Sequence, residues 1–139
     1  MTAEKTKFEI ISGKRKTSVA KVRIKKGTGK ITINKLPYTE LSLFHKLAIA
    51  EPIKIYEVEM GEPVGYDMDV RIAGGGRQSQ IQAARLAIAK ALVYLTSSDT
   101  LKKAYLKYDH HLLIQDPRRK ETRKPGDSKA RASRQKSYR

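Results

Sequence analysis

The chain has 139 residues, no cysteine and a formal net charge of +16, from 30 Lys and Arg against 14 Asp and Glu. That length calls for one domain, burying roughly two-thirds of its unfolded surface, with room for a tail. Without Cys there are no disulfides, thiolate metal sites or cysteine nucleophile, and no apolar run has signal-peptide or membrane-span length, so a soluble cytoplasmic protein without a membrane partner is expected.

"KFEIIS" predicts an opening strand. "TSVAKVRIKK" alternates, with Ala20, Val22 and Ile24 on one face and Val19, Lys21, Arg23 and Lys25 on the other, the period of a half-buried strand. "GTG" reads as a tight turn, with "KITINK" returning as the hairpin partner. Pro37 and "YTE" begin a helical stretch through "LSLFHKLAIA", ended by Pro52. "KIYEVEM" and "YDMDVRIA" read as two further strands joined by "GEPVG". Their alternation sets Val58, Met60, Met68, Val70 and Ile72 against Glu57, Glu59, Asp67, Asp69 and Arg71. "AGGG" leads into the clearest helix, "RQSQIQAARLAIAKALVYLTS", in which Ile81, Ala84, Ile88, Ala91, Leu92 and Leu95 form an apolar stripe. "TLKKAYLKY" predicts a shorter helix capped by Asp99 or Thr100, and "HHLLIQDP" a final strand. The order implies an α+β fold, a two-layer arrangement of helices packed on a mixed sheet. This globular body spans residues 1–116. Residues 117–139 contain no Leu, Ile, Val, Phe or Met and form a tail too poor in apolar surface to order itself.

The charge is unevenly placed. Residues 1–12 and 31–116 are each neutral, whereas residues 13–30 carry eight Lys and Arg with no acid and residues 117–139 carry ten with two acids. Self-repulsion within two such segments asks for an external polyanion. Lys14, Arg15 and Lys16 fall in a loop entering the second strand, and Lys21, Arg23 and Lys25 share a strand face that has no acid of its own. In the tail, Arg118, Arg119, Lys120, Arg123, Lys124, Lys129, Arg131, Arg134, Lys136 and Arg139 are available to phosphates. The short Ala130, Ala132, Ser133 and Ser137 let backbones approach. Fully extended, the tail reaches roughly 75–80 Å.

Other constellations carry less. "AGGGRQSQ" is compatible with an anion held at a helix N-terminus and with a plain strand-to-helix turn, and both can hold at once. Arg77 tilts the reading toward a polyphosphate partner. The pattern is not a nucleotide fingerprint, and "KGTGK" lacks the upstream glycine and the following helix of a P-loop. His110 and His111 would point to opposite faces of a strand and, with His45, make no metal site. The paired carboxylates read as a solvated strand face. No nucleophile, base or acid is arranged for catalysis, so neither an enzyme nor a cofactor is expected.

Three blocks, "GKRKTSVAKVRIKKGTGKITINKLP", "RIAGGGRQSQIQAARLAIAKAL" and "DPRRKETRKPGDSKARASRQKSYR", together resemble the family of the universal ninth protein of the small ribosomal subunit. "RQSQ" and the "SYR" ending resemble its archaeal and eukaryotic branch. The resemblance implies the fold shared with the second domain of the fifth small-subunit protein, seated on ribosomal RNA in the subunit head among neighbouring head proteins. It implies a tail threaded toward the decoding region, with Arg139 and Lys136 near the anticodon stem-loop of peptidyl-site tRNA. Tyr138 stands where bacterial members place a Lys, and would stack or donate a hydrogen bond there instead. The rival from the charge pattern alone is a free basic nucleic-acid chaperone.

Overall fold

In the computed structural model, residues 10–123 are described, together with Pro125, Ala130 and Arg131. Alternation builds the sheet. Strands β1 (Ile10–Arg15) and β2 (Ser18–Lys26) form an antiparallel hairpin closed at Lys16 and Thr17. Lys16 takes a φ of 53° in that turn, a conformation uncommon for a residue with a side chain. Strand β3 (Ile31–Ile33) makes a second, very short hairpin with β4 (Leu36–Pro37). Its turn residues Asn34 and Lys35 both have positive φ, as a type I′ turn requires. The fifth strand, β5 (Tyr66–Ala73), is central, giving the order β1-β2-β5-β3-β4 with β3 parallel to β5. The register sets Val22 opposite Val70 and Ile24 opposite Met68, and all four are buried.

Of the helices α1 (Leu43–Met60), α2 (Arg77–Thr96) and α3 (Asp99–Tyr108), α2 packs on this apolar face, α1 packs on α2, and α3 packs on α1. Helix α2 lies against β1, β2 and β5 on one side and α1 on another. Of the expected stripe, Ile81, Ala84, Ile88, Ala91 and Leu92 are buried and Leu95 is half-buried, while Ala83, Leu86, Ala87 and Ala89 are buried as well. A helix sandwiched between layers buries more than one stripe. Gly13 permits the close fit of β1: a Cβ there would lie 2.5 Å from the Ala83 carbonyl oxygen and 2.7 Å from the Ala87 nitrogen. The opposite face of the sheet is left open. The α+β expectation therefore holds as a five-stranded mixed sheet with three helices on one side.

Several expectations are corrected, beginning with the start of the first helix: Pro37 closes β4, Tyr38–Glu40 is a separate 3-10 turn, and α1 begins only at Leu43. Pro52 does not end α1; it lies buried inside the helix, and "KIYEVEM" is the helix's second half instead of a strand. Ile49, Pro52, Ile53 and Tyr56 are buried at helical spacing, while Val58, expected in the core, is 81% exposed and Met60 is 39% exposed. A proline in a helix interior costs about 3 kcal/mol, which burial of Ile49 and Ile53 at about 1.5–3 kcal/mol each offsets. The Tyr105 hydroxyl, fully buried, donates to the Pro52 carbonyl at 2.7 Å and ties the proline turn to α3. The helix ends instead at Gly61, in the left-handed conformation with φ 71°.

Nor is "GTG" a hairpin turn, because β5 lies between β2 and β3. The segment arches over the start of β5: the amides of Thr28 and Lys30 each donate to the Asp67 carboxylate at 2.9 Å, and the Gly27 amide donates to the Gly65 carbonyl at 3.2 Å. "HHLLIQDP" contains a 3-10 turn (His110–Leu112) in place of a strand, started by the Asp109 carboxylate accepting from the His111 amide at 2.8 Å. The two imidazoles consequently meet edge-on, 5.5 Å between centroids, instead of facing apart. Finally, α3 is capped by Ser98, whose hydroxyl accepts from the Leu101 amide. Of the first expected strand, residues 7–9 lie outside the described residues.

Candidate nucleic-acid interface

The basic residues fall into three groups set by the elements that carry them. The first is the tip of the β1–β2 hairpin. Lys14 and Arg15 close β1 and Lys16 forms the turn, so the expected entering loop is a hairpin end. The tip lies beside the start of α2, where Arg15, Lys16, Gln78, Ser79 and Gln82 line one shallow recess.

The "AGGG" segment determines how α2 begins. Gly74 and Gly75 take φ of 75° and 68°. A Cβ on Gly75 would fall 2.0 Å from the Ser18 Oγ, so no other residue fits this turn without displacing Ser18. Ser18, fully buried, donates through Oγ to the Gly74 carbonyl at 2.9 Å and lies 2.7 Å from Ser79 Oγ. The Ser79 proton then serves either Ser18 Oγ or the Gly76 carbonyl, 2.8 Å away, while Ser79 Oγ accepts from the Gly76 amide at 3.1 Å. Helix α2 has no acidic residue in its first turn and begins with exposed Arg77. Its positive end is thus without the internal carboxylate that ordinarily complements it. Arg77 itself lines a groove with Asn34, Glu40, His45 and Gln80.

The second group lies on the open face of the sheet. Lys21, Arg23 and Lys25 project from it as expected, with Arg23 half-buried and the other two exposed. Their neighbours on β5 were not foreseen: the register places Arg71 opposite Lys21, Asp69 opposite Arg23 and Asp67 opposite Lys25. Asp69 also pairs with Arg71 at 3.5 Å. The strand has no acid of its own, but the face it shares does. Asp67 is held below the usual carboxylate range first by the Lys30 amide, with the Thr28 and Gly29 amides adding to it against a partial desolvation.

The third group is the root of the tail, which leaves the body at the hairpin end. Asp116 is buried, its side chain 5% exposed, and its Oδ2 accepts from Arg15 Nη2 at 3.0 Å and from Arg118 Nη2 at 2.8 Å. Oδ1 accepts from the Arg118 amide at 2.8 Å and from its Nε at 3.1 Å. The Arg118 side chain, and then its amide, hold the Asp116 carboxyl well below the usual range, with Arg15 assisting. The two cationic segments, some hundred residues apart, therefore meet on one carboxylate. Beside it, Arg85 of α2 pairs with Glu51 of α1 at 2.5 Å and with Asp109 at 2.9 Å. Asp116 was assigned to the neutral body; its place in "DPRR", immediately before the basic run, was the signal that marked it.

Arg119, Lys120 and Arg123 are exposed in chain without regular secondary structure. Arg131 is exposed and grips Glu121 through Nε at 2.9 Å and Nη2 at 2.5 Å. An ion pair that open to water is worth little, so a phosphate competes readily for Arg131. Lys124, Lys129, Arg134, Lys136, Tyr138 and Arg139 lie outside the described residues. Among the described residues no group of three His, Asp and Glu comes together to hold a metal ion, and no helix is long and apolar enough to cross a membrane.

A helix-backed sheet with cations on its open face, at a hairpin tip and at a tail root is the surface of a polyanion-binding protein. Residues 13–139 match the model of the ribosomal protein S9/S16 family. The chain is 41% identical over 138 residues to the small ribosomal subunit protein uS9 of Desulfurococcus amylolyticus, covering 99% of this chain and 96% of the relative. It is 40% identical to the protein of the same name from Pyrobaculum aerophilum, over 98% of this chain and 94% of the relative. The counterpart from Methanococcus vannielii is 43% identical over 91% of this chain and 95% of the relative. The chain belongs to the ribosomal protein S9/S16 family, and is a structural protein of the ribosome, not an enzyme.

Proposed function

We propose that this protein is a structural constituent of the small subunit of the cytoplasmic ribosome. Its body docks on ribosomal RNA in the subunit head, next to neighbouring head proteins. Residues 117–139 thread through folded RNA, and Lys136, Tyr138 and Arg139 lie near the anticodon stem-loop of peptidyl-site tRNA. The observation that carries the reading is the convergence of the hairpin tip and the tail root on Asp116, which turns two separate cationic segments into one continuous surface. Phosphates neutralising that surface release counterions, and the gain in their entropy offsets the cost of ordering the tail. Such contacts position without reading sequence, so RNA shape and the docked body supply specificity. Sequence-blind contact also suits a tail tip that must accept every tRNA.

Lys14, Arg15, Lys16, Lys21, Arg23, Lys25, Arg77 and the tail cations are the RNA contacts in this reading. The α2 N-terminus, bare of acids and flanked by Arg15 and Lys16, offers a further seat for a phosphate. Sucrose-gradient sedimentation of a cell extract tests the assignment. Essentially all of the protein should travel with small subunits and ribosomes through moderate salt. A predominantly free pool, or one spread over all nucleic acid, would favour the chaperone.

A further inference from the structure

Burying a carboxylate is costly unless its lone pairs are satisfied, and Asp116 satisfies them almost wholly with groups from the two cationic segments. The pairing is lopsided. The Asp116 side chain is 5% exposed, whereas that of its partner Arg118 is 77% exposed. Nε and Nη2 of Arg118 are turned onto the carboxylate, at 3.0 and 2.8 Å from Oδ2. A planar guanidinium gripped along one edge has its other edge fixed in direction, because the fork is rigid. Arg15 contacts the same Oδ2 through Nη2, and among the described residues its buried Nη1 has no hydrogen-bond partner.

We propose that Asp116 is a positioning residue for RNA binding: by clamping Arg118 to Arg15 it fixes the direction in which the tail leaves the body and presets one guanidinium edge toward a backbone phosphate. The proposal rests on the reading of the protein as an RNA-bound ribosomal component. It makes Asp116 an acid that strengthens polyanion binding. Simple electrostatics predicts the opposite, since removing a negative charge from a cationic surface raises its attraction for RNA. That opposition makes the idea easy to test.

The test uses the full chain and a full-length small-subunit rRNA transcript. Because the chain has no cysteine, a Thr122→Cys variant carries a single tethered iron chelate for directed hydroxyl-radical cleavage of the RNA. With Asp116 present, cleavage should be confined to one short stretch of RNA. Asp116→Asn should spread it and weaken binding about tenfold despite the added positive charge. Asp116→Glu should restore the pattern in part. Arg118→Lys, which keeps the charge on an exposed side chain and leaves the buried carboxylate untouched, should spread cleavage in the same way. This second variant decides the matter should Asp116→Asn fail to fold by circular dichroism. Unchanged cleavage with equal or tighter binding in the folded variants overturns the proposal. Absence of localised cleavage by the Thr122→Cys chain itself would overturn the RNA-docking reading, and the clamp with it.

Discussion

Individual carboxylates couple the charge state of the body to its folding. Asp67 accepts from two amides of the arch that carries the chain from β2 to β3, and its carboxyl is held low chiefly by the Lys30 amide. Partial burial alone would raise the Asp109 carboxyl, but the His111 amide and Arg85 together outweigh it and the net direction is downward. Asp116 is lowered mainly by Arg118. In each case the folded state binds a proton less readily than the unfolded chain, whose Asp titrates near about 3.9. The stability these groups contribute is therefore fully present above the unfolded value and lost as pH falls through the folded ones. The urea midpoint should stay nearly flat from neutrality down to about pH 5 and fall steeply below about pH 4. Asp67→Asn should lower the midpoint at neutral pH and shrink the acid decline. An acid decline identical to that of the unaltered chain would show that Asp67 ionisation is not linked to folding.

At the level of elements, the contact between β1 and α2 is the one that leaves no slack. Gly13 abuts backbone atoms of α2, which cannot swing aside as a side-chain end would. Gly13→Ala should destabilise the body by about 1–3 kcal/mol, read as a lower urea midpoint with an unchanged slope, because the cost is overpacking against backbone. A neutral effect would mean that β1 can lift from the helix. Elements of this kind show how far the sequence is readable. The alternation in β2 and β5 and the apolar stripe of α2 are local periodicities, and each maps onto buried residues such as Val22, Val70 and Ile88. Pro52 misled because a proline's cost is local whereas its offset, the packing of Ile49, Ile53 and Tyr56 and the Tyr105 hydroxyl bond, comes from residues up to 53 positions away. Strand pairing is likewise non-local. Nothing near "GTG" announces that β5, some forty residues on, will part β2 from β3. The same limit applied at the interface: the cations were legible by type and density, but Asp67 and Asp69 beside them became visible only through β-sheet register, and Asp116 only through the clamp.

Across the whole molecule, the charge is divided between a body whose remainder is neutral and two segments that meet at one end. This division separates two tasks. Residues 10–116 hold an apolar core of their own, built mainly of Ile, Val, Leu and Ala. Residues 117–139 contribute ten Lys and Arg and contain no Leu, Ile, Val, Phe or Met. If roughly six tail cations neutralise phosphates, log affinity for small-subunit rRNA should fall with log salt at a slope of about −4 to −5. Deleting residues 129–139 removes five Lys and Arg. It should flatten the slope by about three to four units and weaken peptidyl-site tRNA binding to reconstituted subunits, while circular dichroism of the body stays the same. Arg131 should contribute less than a full unit, because it must leave Glu121 before it meets a phosphate. A slope that survives the deletion would mean residues 129–139 touch no phosphates, and RNA binding would then belong to the hairpin tip, the open sheet face and the tail root at residues 117–128.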